Sequence, residues 1–126
     1  PNKDIVNELN EVERNKTFVD KMLEYISAKD VKDSVIYKAA RIDRRLWSKM
    51  VSNSDYKPSK DTCILILLGL ELDLKSAQDM LFRAGYALSH SLKRDIAIEY
   101  FFANKIYDVD EIDETLILLG EKTLTK

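Results

Sequence analysis

Few residues of this 126-residue chain have the types and spacing that chemistry requires. His90 is the only histidine and stands between Ser89 and Ser91. Nucleophilic catalysis needs a base oriented by an acid and aimed at a nucleophile, and the sequence places no such partners beside it, so no catalytic residue is expected and the chain reads as a non-enzyme. The carboxylates Asp108, Asp110, Glu111, Asp113 and Glu114 lack the glycine and the ligand register of a calcium loop. At a helix N-terminus acids complement the dipole. The single cysteine, Cys63, lies inside Cys63-Ile64-Leu65-Ile66-Leu67-Leu68 and builds neither a disulfide nor a zinc cluster. There is no glycine-rich phosphate loop. No metal and no cofactor is therefore expected.

The bases are more informative. The net charge is -2, but residues 32 to 60 hold eight bases (Lys32, Lys38, Arg41, Arg44, Arg45, Lys49, Lys57, Lys60) against three acids (Asp33, Asp43, Asp55), leaving 12 bases and 19 acids elsewhere. Such asymmetry is the footprint of a segment that meets an anionic partner, or of a well-solvated loop and helix. Composition sets the frame for that choice. With 45% hydrophobic and 33% charged residues, three glycines and two prolines, the chain excludes collagen-like, low-complexity and disordered classes. Its length suits one domain with a real core. No apolar run approaches the roughly 20 residues of a membrane span, so no membrane partner is expected and a reducing cytoplasm is the default location. Pro1 in place of an initiating methionine suggests a piece of something longer.

The elements that must position these bases are all helical. Asn2 to Lys16, with Ile5, Val6 and Leu9 on one weak face, reads as a linker or the end of a preceding domain (1–16). Residues 17–88 form a helical core. Thr17 caps a helix with Phe18, Met22, Tyr25 and Ile26 inward, ending near Ala28. Asp33 or Lys32 opens a short second helix with Ile36, Ala39 and Ala40 inward. Asp43 caps a third, Arg44 to about Ser52, with Leu46, Trp47, Met50 and Val51 inward and Arg45, Ser48, Lys49 and Ser52 outward. A polar loop reaches Pro58, and Ser59 caps a fourth helix that is apolar nearly all round from Cys63 to Leu70. Asp73, preceded by Leu72 as a staple, starts a fifth that Gly85 ends. Residues 89–126 add two helices packed on the core. The first starts at Ser89 or Ser91 and carries Ile96, Ile98, Tyr100, Phe101 and Phe102, more apolar surface than one stripe can use. The second is capped by Asp108, carries Ile112, Leu116 and Leu119, and closes at Gly120. The fold class is all-α, a bundle of about seven helices.

Helix, tight turn, helix, polar loop and buried helix from about Phe18 to Leu81 resemble the lambda-repressor-like (Xre-type) helix-turn-helix, whose second and third helices read DNA. More narrowly, Arg41-Ile42-Asp43-Arg44-Arg45, Ser48-Lys49, Asp55-Tyr56-Lys57-Pro58-Ser59-Lys60, Arg83-Ala84-Gly85-Tyr86 and Ile98-Glu99-Tyr100-Phe101 resemble a bacterial module found at the C-terminus of multidomain proteins, macrodomain proteins among them. The first resemblance implies that Trp47 and Met50 are core. It also implies that Arg44, Arg45 and Lys49 occupy the outward positions that reach base edges in the major groove, with Ser48, Lys57 and Lys60 as further DNA-binding residues and double-stranded DNA as partner. Three positions depart from the pattern. Asp33 stands where a neutral phosphate donor is usual, Arg41 replaces the turn glycine, and Tyr37 replaces the small residue where the two helices touch.

Two functions follow as expectations. The chain is a DNA-binding, regulatory helix-turn-helix module, or it is a protein-interaction or oligomerisation module with a degenerate helix-turn-helix. A homodimer or a partner domain is expected to meet the C-terminal helices, where part of the apolar surface of residues 96–102 should stay open, and two-fold pairing there would present two copies of the third helix to a palindromic DNA site.

Overall fold

A computed structural model describes residues 2–11 and 15–125, and among them every regular element is a helix. The order is α1 (Lys3–Glu11), α2 (Phe18–Lys29), α3 (Asp33–Ala39), α4 (Arg44–Val51), α5 (Lys60–Gly69), α6 (Leu74–Arg83), α7 (Lys93–Ala103) and α8 (Val109–Leu118). The all-α bundle is as the sequence implies. Helices α2 to α8 are the seven expected ones, while α1 is a further helix in the stretch expected to be linker, with Ile5, Val6 and Leu9 all exposed.

The centre is α5. Cys63 through Leu68 are all buried, as is Leu70 at the helix end, so this helix has no solvent face. Burying each leucine or isoleucine side chain contributes about 1.5–3 kcal/mol, which makes α5 the largest single source of core energy. It packs against α3 on one side and α6 on another; α6 in turn meets α2 and α7, α7 meets α8, and α2 meets α4. The approach of α3 is close because of Gly69, where an added Cβ would stand 3.1 Å from the Ile36 carbonyl oxygen and 3.4 Å from the Ala40 Cβ.

Local chemistry fixes the helix starts. The Thr17, Asp43, Ser59, Asp73 and Asp108 side chains each accept from backbone N–H groups one turn into α2, α4, α5, α6 and α8. The ends repeat one device. Arg41, Glu71, Lys105, Gly85 and Gly120 adopt positive φ. The residue after each donates back to the carbonyl five positions earlier: Ile42 to Tyr37, Leu72 to Leu67, Ile106 to Phe101, Tyr86 to Leu81 and Glu121 to Leu116. These are Schellman closures, and in three of them a non-glycine residue takes the left-handed position.

Three expected placements differ. α7 begins at Lys93, with Leu92 rather than a serine at its cap position. Ser89 is turned to other use: its N–H donates to the Asp95 carboxylate and its hydroxyl accepts from the Ser91 N–H. Ala39 points outward because the short α3 offers α5 only one stripe, taken by Ile36 and Ala40. Leu119 is the cap residue beyond the end of α8 and is 38% exposed, while Val109, Ile112 and Leu116 supply the buried face.

Residues 89–125 are tied down by charge as well as packing. Arg94 donates to both Asp61 carboxylate oxygens, at 2.8 and 3.1 Å, and to the carbonyls of Lys122 and Thr123. The buried carboxylate of Asp113 accepts from the Leu124 and Thr125 N–H groups, which seats Leu124 in the core.

Candidate nucleic-acid interface

The pair α3 and α4 is joined by Ala40 to Asp43. Arg41 supplies the reversal at φ +57, and Ile42 anchors it by inserting into the core. The Asp43 carboxylate accepts from the Arg45 N–H at 2.6 Å and starts α4. Trp47 and Met50 then face inward, with Trp47 only 3% exposed.

That inward face accounts for the departures from the helix-turn-helix pattern. The Trp47 indole N–H, which must find an acceptor when the ring is buried, donates to Asp33 Oδ2 at 3.0 Å. The carboxylate at the start of α3 is thus turned to the interior partner. Tyr37 lies tilted against the same indole, with ring centroids 5.7 Å apart, so the wide contact between the two helices is filled by aromatic surface. Arg41 accepts the left-handed backbone and sends its guanidinium to Asp110 at the start of α8, 2.6 Å away. The hydrogen bond to Asp110 raises the Arg41 pKa further, and the same bond holds Asp110 below the ordinary carboxylate value.

On the outer face of α4, Arg44, Arg45, Ser48 and Lys49 are all exposed. No acidic residue occurs between Arg44 and Ser54. Lys49 Nζ sits 5.9 Å from the centroid of the Tyr56 ring, and Lys57 Nζ sits 5.1 Å from that of Tyr86. Tyr86 donates its hydroxyl to the Pro58 carbonyl at 2.8 Å, and the Asp55 N–H donates to Asn53 Oδ1 at 3.0 Å, so the loop after α4 is folded onto the core. A cleft of about 390 Å³ opens beside it, lined among others by Phe18, Tyr56, Lys57 and Arg83.

Five of the six expected site residues therefore share the surface formed by α4 and its following loop. Lys60 does not. Its ammonium is 2.7 Å from Asp95 Oδ2, and Asp95 is 2% exposed. A buried carboxylate requires partners, and Lys60 supplies the charge beside the Ser89 N–H. The residues that sequence reasoning missed here are the acids Asp33, Asp95 and Asp110, each paired with a group far along the chain. Asp95 alone carried a signal, as a lone acid one residue from the apolar run that starts at Ile96. The acids of α8 have individual uses: Asp108 caps, Asp110 holds Arg41, and Asp113 holds the C-terminal segment. His90 pairs with Glu99 at 2.5 Å on the surface.

Compared with protein-family models, curated proteins and solved structures, the chain matches none of them.

Proposed function

We propose that this chain is a helix-turn-helix module of the lambda-repressor-like kind that binds double-stranded DNA through α4. The observation that carries the reading is the acid-free exposed face of Arg44, Arg45, Ser48 and Lys49 on the second helix of a tightly joined pair. An eight-residue helix is about 12 Å long, and the major groove is about 12 Å wide. Arginine pairs bidentately with guanine O6 and N7, and Lys49 and Lys57 reach phosphate oxygens from the flank. Arg41 is paired with the surface carboxylate of Asp110 and Lys60 with the buried Asp95, and neither takes part. Fluorescence anisotropy with random duplex DNA over a salt series tests the reading. Binding at roughly 50 mM salt should weaken linearly in log salt, by about 0.9 per phosphate contacted. Arg45→Ala should lower affinity and leave the melting temperature unchanged. Absence of binding at low salt rejects DNA as the partner.

A second reading, a module for protein contact or oligomerisation, is favoured by one separate observation. Ile96 and Tyr100 on α7 and Ile117 and Leu118 on α8 remain open to solvent. The expected division of the 96–102 cluster is seen, with Ile98, Phe101 and Phe102 buried and Ile96 and Tyr100 outside. Sedimentation equilibrium at micromolar concentration tests pairing: a dimer supports self-association through this surface, and a clean monomer of 14.6 kDa counts against dimeric DNA reading and leaves the surface to a partner domain.

A further inference from the structure

Helix α1 is amphipathic and uncovered. Ile5, Val6 and Leu9 fall on one face at 52%, 52% and 66% exposure, and the helix is nine residues long. Isolated helices shorter than about 12–15 residues are marginal in water, because nucleation costs more than so few hydrogen bonds return. An apolar stripe on so short a helix needs an apolar surface to hold it.

The chain entering α2 indicates which surface. The Arg83 guanidinium on α6 donates to the Lys16 carbonyl at 2.8 Å, which holds Lys16, one residue before the α2 cap, beside the residue that follows Phe82. Phe82 is 79% exposed. It lines a shallow groove of about 240 Å³ together with Gln78, Tyr86, Ala87 and Leu88. The five chain steps from Glu11 to Lys16 span at most about 18 Å, which brings the Phe82 groove within reach of the α1 stripe. Other exposed apolar side chains, among them Val35, Leu92, Ile96, Tyr100, Ile117 and Leu118, lie on elements that make no hydrogen bond to Lys16 among the described residues.

We propose that in solution α1 seats Ile5, Val6 and Leu9 on the Phe82 groove of its own chain. A short tether gives the docking partner an effective concentration of about the millimolar range, so a small contact suffices. The test is a cysteine pair in the full chain, Leu9→Cys with Gln78→Cys, which places a thiol at the groove and leaves Phe82 intact. The native Cys63 does not compete, since it is buried and its thiol pKa is pushed up to about 12 by desolvation. Mild oxidation should give an intramolecular disulfide, seen as a faster monomer band on a non-reducing gel, in this pair and not in Leu9→Cys with Ile96→Cys. Disulfide-linked dimers would assign the groove to α1 of a second copy and overturn the proposal; equal yield in the control pair, or no disulfide, would overturn it too. Independently, Phe82→Ser should speed hydrogen exchange of amides 5 to 11 at least tenfold with the melting temperature of the core unchanged, and unchanged exchange rejects the docking.

Discussion

Trp47 unites the inside of the helix pair. Its ring is buried against Met50 and Tyr37, and its one polar atom is satisfied by Asp33. Truncation removes both contributions at once, so Trp47→Ala is expected to cost about 3–5 kcal/mol. That is a large share of the 5–15 kcal/mol typical of a domain, and a thermal melt should show the transition falling steeply or lost. Asp110 gives a pH-dependent counterpart. Its carboxyl is held below its ordinary value chiefly by the hydrogen bond from Arg41, and Asp73 is held down likewise by the Ser76 N–H. With the folded pKa depressed, the folded chain binds fewer protons than the unfolded one. The stabilisation is therefore complete above the unfolded value of about 3.8 and is lost as pH falls through the folded value. Urea midpoints measured from pH 6 down to pH 2.5 should fall in acid, and Asp110→Asn should flatten part of that fall; an identical slope in the variant would remove the role given to the pair. The inward placement of Trp47 is readable from its spacing to Met50. The use made of Asp33 is not, since a carboxylate 14 positions away has no local sign of which group it will accept from.

At the scale of elements, the readable features are those whose cause is local. The caps at Thr17, Asp43, Ser59, Asp73 and Asp108 are legible because each side chain bonds backbone two or three residues ahead. The seamless apolar run of α5 likewise states its central position. The start of α7 is misread because Ser89 and Ser91, good cap types, serve the preceding turn and leave Leu92 at the cap position. The exposed end at Leu119 is misread because a helical period cannot tell where the neighbouring helix ends. Of the candidate site, the outward face of α4 is legible from period alone, whereas the capture of Lys60 depends on Asp95, 35 residues on. The contact of α3 with α5 rests on Gly69, and it predicts a further result. Gly69→Val would place side-chain atoms inside the space taken by the Ile36 carbonyl and Ala40, and overpacking of this kind costs about 1–3 kcal/mol. Chemical denaturation should report that loss, and a wild-type midpoint would show that α3 yields freely.

For the whole molecule, the C-terminal helices are part of the same core and not an appendage. Ile98, Phe102, Ile112 and Leu116 join the cluster built on α5, and Arg94, Asp95 and Arg41 each bridge between α7 or α8 and the first half of the chain. The basic face of α4 is therefore held on a scaffold that must fold as one unit, with the turn beside it fixed through α8. The left-handed helix endings carry a consequence for how long such a molecule survives. Each non-glycine residue in that conformation raises the energy of the folded chain by about 1–2 kcal/mol. Glu71 and Lys105 sit at φ +54 and +55, with side chains that make no hydrogen bond or ion pair among the described residues. Glu71→Gly and Lys105→Gly should each stabilise the fold by up to about 1 kcal/mol after the extra entropy of an unfolded glycine is subtracted, read as a higher urea midpoint at unchanged slope. Resistance to protease follows the population of opened chains, so the doubly substituted protein should outlast the parent in a thermolysin digest by up to about 30-fold, its α4 surface untouched. Lifetime in this fold is thus adjustable at two exposed turns, separately from whatever α4 binds.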